Sequence, residues 1–278
     1  GTCRIFIFGE SAALGDPEPA FGFARVLDVL LSARHPDTQF EVLNVAVTAI
    51  NSHVVRQIAR DCARLNGDVW VLYMGNNEVV GPFGAGTVFG AQTPPRALIH
   101  TQLALKATRL GQWLDALRWR LARNSATPAE WEGMEMFLRQ QIRQDDPRMA
   151  RVYQSFQRNL EDVVELGRAA GARVLVSSVV GNLKDCPPFA SLHRADLTAA
   201  QLAEWNRFYQ AGVAHENATN PAAALASYEQ AARLDDRFAE LHFRRGRCQW
   251  AVGDVAAARR SFEQAQDLDT LRFRADTR

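Results

Sequence analysis

The stretch RIFIFGESAAL, residues 4–14, joins an unbroken apolar run to a polar corner. The run over residues 5–8 consists of Ile and Phe without polar alternation, which is typical of a strand buried on both faces of a parallel sheet. Gly9-Glu10-Ser11 ends the run, and small residues that favour a helix come after it. Ser11 therefore lies on a strand-to-helix corner, where a serine serves either as a helix cap or as a nucleophile.

The strand-helix order continues along the chain. After the first strand, Arg4–Phe8, three apolar runs have strand character: Phe40–Val45, Val69–Met74 and Arg173–Val180. Apolar residues at helical spacing fill the segments between them, over 23–31, 54–65 and 156–164, and Gly171 is placed to end the last helix. Alternating strands and helices predict an α/β fold with a parallel sheet and right-handed crossovers.

A long excursion separates the third and fourth strands, over about residues 81–147. Residues 81–95 are rich in Gly and Pro and predict a loop. Residues 96 to about 123 predict a helix with leucines on one side, accompanied by Trp113 and Trp119 and by interspersed basic residues: Arg96, Lys106, Arg109, Arg118, Arg120 and Arg123. Two interpretations stay open: a lid or interfacial helix over a binding site, or a helical insertion packed on the core with its arginines solvated.

After Pro187-Pro188 no further strand is predicted, and the sequence becomes alanine-rich and helical. Four residues recur at an offset of 34: Gly212, Ala224, Tyr228 and Ala231 return as Gly246, Ala258, Phe262 and Ala265. The tetratricopeptide period is 34, with a small residue where paired helices touch and an aromatic residue in the second helix. Residues 198–270 therefore resemble two tetratricopeptide (TPR) repeats, an all-α region of helical hairpins for binding a protein partner.

Composition narrows the function classes. The chain has 278 residues, 47% of them hydrophobic, and its net charge of +1 gives no reason to expect nucleic acid as a partner. The four cysteines lie far apart without a CxxC pair, which favours buried thiols over a zinc site or a disulfide scaffold. No apolar run approaches the ~20 residues of a membrane span, and no signal peptide opens the chain. The chain begins with Gly-Thr-Cys rather than Met and enters a predicted strand almost at once, which is typical of a piece of a longer protein. The compartment is therefore unknown, and the parent could be membrane-anchored or exported.

Three polar clusters come after the first three predicted strands: Gly9-Glu10-Ser11, residues 44–51, and Gly75-Asn76-Asn77-Glu78. The carboxyl ends of parallel strands share one edge of the sheet, where ligands bind in α/β folds, so we expect these loops to converge. Asn77 is either a site residue or a turn residue in the left-handed region. Asn44 and Asn51 are not assigned to chemistry, since bonds to loop backbone would explain them.

These clusters resemble the sequence blocks of SGNH, or GDSL-type, ester hydrolases. Gly9-Glu10-Ser11 matches the family's Gly-Asp-Ser block with Glu for Asp, residues 44–51 match its Asn-x-Gly-x-Ser-Gly-x-Thr block, and the third cluster matches its Gly-x-Asn-Asp block. The resemblance covers residues 3 to about 186. It implies a flavodoxin-like three-layer α/β/α sandwich over residues 1–190, with no cofactor and no metal.

The resemblance also implies site residues for acyl transfer. Ser11 is then the nucleophile that attacks an ester carbonyl. The Ser11 N–H, the Ala49 N–H and the Asn77 side-chain amide are the donors for the oxyanion that forms. Ala49 stands where the family usually has glycine, so a backbone φ above zero would be strained at this position.

The general base of the family is missing from its expected place. Its Asp-x-x-His block does not occur in this chain. Among the six histidines, His193 in the linker FASLHRADL is the best-placed substitute, and His53 is interpreted as a first-turn helix residue. Truncation is the simpler expectation: the repeats are inserted ahead of the missing block, and residues 271–278 mark a restart of the α/β domain. The chain as given is then expected to be inactive or nearly so.

Three functions are compatible with these features. The first is a serine ester hydrolase acting on a small-molecule or carbohydrate O-acyl ester, with the repeats binding a protein partner. The second is an O-acetyltransferase that uses the same serine. The third is a non-catalytic scaffold, in which the α/β domain binds a ligand and the repeats recruit a protein. The first is the leading hypothesis, and the missing base and Ala49 support the third.

Overall fold

The computed structural model describes residues 1–122 and 136–278, so Arg123 lies outside the described residues. The strands are β1 (Thr2–Gly9), β2 (Gln39–Asn44), β3 (Val69–Tyr73) and β4 (Arg173–Val176). The α-helices are α1 (Ser11–Leu14), α2 (Phe23–Arg34), α3 (Ser52–Cys62), α4 (Arg96–Lys106), α5 (Arg109–Ala122), α6 (Arg148–Ala169), α7 (Ala199–Asn217), α8 (Pro221–Leu234), α9 (Ala239–Ala251) and α10 (Val255–Leu268). The chain divides into two compact units: Gly1–Phe137 with Pro147–Val179, and Leu138–Asp146 with Val180–Arg278.

The strands of the first unit form one parallel sheet in the order β2-β1-β3-β4. Successive side chains of β1 point to opposite faces of this sheet. Phe6 and Phe8 pack with residues of α3 and α6, whereas Ile7 packs with residues of α1 and α2. Helices therefore cover both faces, and the predicted α/β fold with a parallel sheet is confirmed.

The fourth strand is shorter and more exposed than predicted. β4 ends at Val176 rather than at Val180, and the side chains of Leu175 and Val176 are 57% and 55% exposed. Within the described residues β4 pairs with β3 alone and forms an outer edge of the sheet. Burial on both faces, which its apolar sequence predicts, is therefore wrong for this strand.

The helix predicted over residues 96 to 123 is two helices. Thr108 separates α4 from α5, because its hydroxyl accepts a hydrogen bond from the Gly111 N–H (3.0 Å) as an N-cap does. Gly111 then lies so close to α4 that an added Cβ would be 1.9 Å from the Leu105 carbonyl oxygen. The glycine side of α5 thus packs on α4. The predicted loop over 81–95 is confirmed, since it contains neither helix nor strand.

Helical hairpins make up most of the second unit. α7 packs on α8, and α9 packs on α10. Gly212 lies against the ring of Tyr228, and Gly246 lies against the ring of Phe262 at the equivalent place in the second hairpin. The alanines of the 34-residue pattern are buried in both hairpins. Residues that lie 34 positions apart in the sequence therefore make equivalent packing contacts in the two hairpins.

The last residues of the chain belong to this helical unit. Residues 271–278 form no strand; Arg274 pairs with Asp269, and Thr277 bonds Asp267. Residues 271–278 therefore group with the second unit, and the restart of the α/β domain stays a prediction. Asp267 of α10 and Asp269, just after it, bind the segment to the end of that helix.

The cysteines are all free. Cys62 and Cys248 are buried, as expected, but Cys186 is exposed, so the interpretation as a buried thiol is wrong for that residue. Across residues 1–122 and 136–278, no three His, Cys, Asp or Glu side chains are grouped as a metal site requires. None of the described helices has the length and apolarity to cross a bilayer.

Candidate active site

The loops after β1, β2 and β3 are fastened to one another by hydrogen bonds. The Glu10 carboxylate accepts from three consecutive backbone N–H groups at 3.4, 3.0 and 3.1 Å, those of Gly75, Asn76 and Asn77. This joins the first loop to the third. The Asn77 side-chain amide donates to the Ile50 carbonyl (3.0 Å), which joins the third loop to the second. The predicted convergence of the three clusters is confirmed.

Two asparagines of the second loop bond backbone carbonyls. Asn44 Nδ2 donates to Ala13 (3.0 Å) and to Leu14 (3.3 Å), and so ties the end of β2 to α1. Asn51 Nδ2 donates to the carbonyl of Pro82 (2.7 Å). Both side chains hold loops in place, which explains them without a chemical role.

Ser11 is the first residue of α1, and Glu10 occupies the N-cap position before it. The Ser11 side chain is half-buried, and its hydroxyl makes no hydrogen bond with any residue that the structure describes. A capping serine would accept a bond from the backbone two or three residues further on. Helix capping therefore does not account for Ser11, and its hydroxyl is available at the corner after β1.

Donors remain free on each of the three converging loops. The N–H groups of Ser11 and Ala49 donate to no other residue within the described part of the chain. Asn77 uses one of its two amide hydrogens on Ile50 and keeps the other. A hydroxyl and unused hydrogen-bond donors therefore lie on the loops of one sheet edge.

Ala49 adopts the strained backbone conformation that its position in the second block predicts. Its φ is +58°, in the left-handed region, where an L-residue with a Cβ is strained by roughly 1–2 kcal/mol. The side chain is exposed, so no packing contact depends on the methyl group. The loop geometry, rather than the residue, therefore fixes this conformation.

Ala49→Gly is expected to raise the free energy of unfolding by about 0.5–1 kcal/mol, because glycine removes the strain at φ +58° and loses little packing. Urea denaturation measures the change. Ala104→Gly, at an exposed position inside α4, is the matched control and should instead destabilise by about 1 kcal/mol. If both variants lose stability to the same extent, Ala49 is not strained.

A pair of buried carboxyl groups lies beneath these loops. Burial raises the pKa of Glu10, and the neighbouring Glu78 raises it further despite the three backbone donors. Burial also raises the pKa of Glu78, although its carboxylate accepts from the Ser52 N–H and hydroxyl, both at 2.7 Å. The interaction of Glu10 with Glu78 is not evident from the sequence.

A polar network continues from Glu78 into the interior. Asn159 of α6 donates to the Ser52 hydroxyl (2.9 Å), and its Nδ2 is 3.0 Å from His53 Nδ1. Burial lowers the pKa of His53 to about 4, with His100 and two arginines adding to the shift. His53 is therefore a neutral, buried residue of the first turn of α3, in agreement with its predicted place in that helix.

Glu78→Gln is expected to change how stability depends on pH. Because the pKa of Glu78 is raised in the folded state, the folded chain keeps a proton that the unfolded chain has released above about pH 4.5. The stability that this bound proton contributes is fully present below about pH 4.5 and is lost as the pH rises through the raised pKa of Glu78. Between pH 5 and pH 8 the variant should therefore lose about 2 kcal/mol less stability than the wild type.

Urea denaturation at both pH values measures this difference, and the buried His53, whose effect has the opposite sign, is common to both proteins. Glu165→Gln, at an exposed position on α6, is the control and should behave as the wild type does. Parallel pH profiles for wild type and Glu78→Gln would show that Glu78 is not held protonated by the fold.

His193, the substitute base considered from the sequence, lies in the second unit. Its Nδ1 is 2.7 Å from Asp235 Oδ2, and its ring stacks on Phe238 and meets Trp205 edge to face. These contacts give His193 a packing role within the helical unit. No described residue of the first unit accepts a hydrogen bond from the Ser11 hydroxyl.

No protein-family model matches the chain, and no solved structure matches it. Over 46 residues the chain is 46% identical to the human protein named DnaJ homolog subfamily C member 7, and it is equally similar to the mouse protein of that name. The match covers 16% of this chain and 9% of each relative's length. Such a short similarity is compatible with protein-interaction repeats and does not bear on the α/β unit.

Proposed function

We propose that the first unit is a serine ester hydrolase of the SGNH type, which transfers the acyl group of an O-acyl ester to Ser11. The observation that carries the proposal is the free Ser11 hydroxyl at the edge where three hydrogen-bonded loops meet. The other role considered for this serine, a helix cap, would require a hydrogen bond that Ser11 does not make.

The sheet supports this assignment. Its order, β2-β1-β3-β4, is that of the first four strands of a flavodoxin-like sheet, in which ligands bind at the carboxyl ends of the strands near the reversal of strand order. Ser11 comes directly after β1, the strand from which the order reverses. Helices on both faces complete the layers that the resemblance implies.

The chemistry assigned to the site is acyl transfer. Ser11 Oγ forms a bond to the ester carbonyl carbon, the alkoxide of the alcohol leaves, and the serine proton passes to the leaving group by way of a base. The N–H groups of Ser11 and Ala49 and the free hydrogen of the Asn77 amide stabilise the oxyanion between these steps. Water then releases the acyl group. The site residues are Ser11, Ala49 and Asn77, and no residue is assigned as the base.

The substrate class is inferred from the reaction and from the resemblance. A small-molecule or carbohydrate O-acyl ester presents the carbonyl that Ser11 requires. In the second unit we assign the hairpins α7–α8 and α9–α10 as TPR repeats that bind a protein partner, on the strength of the 34-residue packing offset and the short similarity to DnaJ homolog subfamily C member 7.

A scaffold without catalysis is the second candidate. The strain at Ala49 and the absence, among the described residues, of a base bonded to Ser11 both favour it. Hydrolysis of an aryl ester by the whole protein, compared with its Ser11→Ala variant, separates the two functions. Activity that depends on Ser11 supports the hydrolase, and equal rates support the scaffold.

A further inference from the structure

Helix α5 exposes an apolar stripe. Leu110, Trp113, Leu114 and Leu117 are 62%, 59%, 38% and 38% exposed. Their spacing of three and four residues places them along one side of the helix. Gly111, which packs on α4, borders the stripe next to Leu114. Scattered apolar residues on a surface need no explanation, but a continuous stripe with a tryptophan marks an interaction surface.

Basic residues flank this stripe. Residues 96–122 contain five Lys or Arg and one Asp, hence a charge of +4, although the whole chain carries only +1. Arg96 pairs with Asp162, and Lys106 pairs with Asp115. Arg109 and Arg120, at the two ends of α5, are exposed and give the surface of this helix its positive charge.

The segment is attached firmly to the first unit through α4. Arg96 at its start pairs with Asp162 and donates to Asn159 Oδ1 (3.0 Å), and Ile99 is fully buried. Arg56 also pairs with Asp162, so α3, α4 and α6 meet at one carboxylate. α5 is thus carried by a fixed helix.

We propose that α5 docks on an anionic lipid bilayer surface. Leucines and a tryptophan on one side and Lys or Arg around them form the pattern of a helix that lies in the interface plane, and anionic lipid attracts such a helix. A second copy of the chain is a poorer occupant, since Arg109 and Arg120 of the two copies would repel each other across a two-fold axis. The stripe covers two turns and does not require a spanning helix.

Cosedimentation of the whole protein with vesicles tests this. The protein should bind vesicles of phosphatidylcholine and phosphatidylglycerol at 3:1 and bind pure phosphatidylcholine at least tenfold more weakly. Each arginine near an anionic surface strengthens binding roughly fivefold. Arg109→Gln combined with Arg120→Gln should therefore weaken binding to the anionic vesicles by about tenfold or more. A higher salt concentration should also weaken binding to the anionic vesicles, because salt screens the charges.

Leu110→Ser, Trp113→Ser and Leu117→Ser together should abolish binding, and circular dichroism checks that this variant folds. The control is a triple serine variant of Val26, Val29 and Leu30, which are equally exposed on α2, a helix with a charge of +1. It should bind as the wild type does. The proposal is overturned if the folded wild type binds no anionic vesicles, or if the stripe variant changes the oligomeric state in ultracentrifugation and leaves vesicle binding intact. Neither result bears on ester hydrolysis.

Discussion

The Ser11→Ala variant of the whole protein is expected to hydrolyse p-nitrophenyl acetate at least roughly tenfold more slowly than the wild type, measured as kcat/KM, since no described base bonded to Ser11 adds to the wild-type rate. Removal of the hydroxyl removes the atom that forms the acyl-enzyme, so the remaining rate comes only from binding and the oxyanion donors. The fold should be unaffected, because the Ser11 hydroxyl makes no hydrogen bond with any described residue. The substitution should therefore lower the rate of hydrolysis and leave the free energy of unfolding unchanged.

Ser32→Ala is the matched control for this measurement. Ser32 is exposed on α2, away from the three loops, and its variant should retain the full rate. Mass spectrometry of the wild type after brief exposure to the ester should find the acetyl group on the peptide that contains Ser11. Equal rates for wild type and Ser11→Ala would remove Ser11 from any mechanism and leave the scaffold function.

Gly212→Val is expected to destabilise the helical unit by ~3 kcal/mol, which corresponds to a fall in Tm of roughly 10 °C. A Cβ at this position would lie 2.3, 2.6 and 2.8 Å from three atoms of the Tyr228 ring. That ring is fully buried, so it has no room to move away. The two helices of the first hairpin would have to separate.

Ala214→Val controls for the lower helix propensity of valine, because Ala214 is exposed on the same helix. Thermal unfolding monitored by circular dichroism gives the Tm, and hydrogen exchange of α7–α10 assigns the loss to this unit. A decrease in Tm no larger than that of Ala214→Val would mean that the glycine is not needed for the contact with Tyr228.

The regular features of the fold could be predicted from periodicity. Unalternated runs such as residues 5–8 predict parallel strands, and the parallel arrangement brings the loops at Ser11, Ala49 and Asn77 to one edge. The exposure of β4 could not be predicted in this way, because an apolar sequence does not distinguish a central strand from an outer one. The break at Thr108 could also have been found, because a threonine three residues before a glycine in a helical pattern is a possible N-cap.

The buried interactions of the candidate site were much harder to predict from the sequence. A glutamate in a polar loop is usually solvated, yet Glu10 and Glu78 are buried, which raises the pKa of both, and Glu78 raises the pKa of Glu10 further. Asn159 contributes from more than a hundred residues away, and no local pattern links it to Ser52.

The bonds of Glu10 to residues 75–77 have a consequence for how the chain tolerates change. They close the turn after β3 before the long excursion begins, and Asn51 bonds Pro82 at the start of that excursion. The geometry around Ser11 is thus insulated from the length of the excursion. Because the entropy of loop closure grows only slowly with length, changes in chain length beyond residue 82 that leave α4 in place should have little effect on the serine corner.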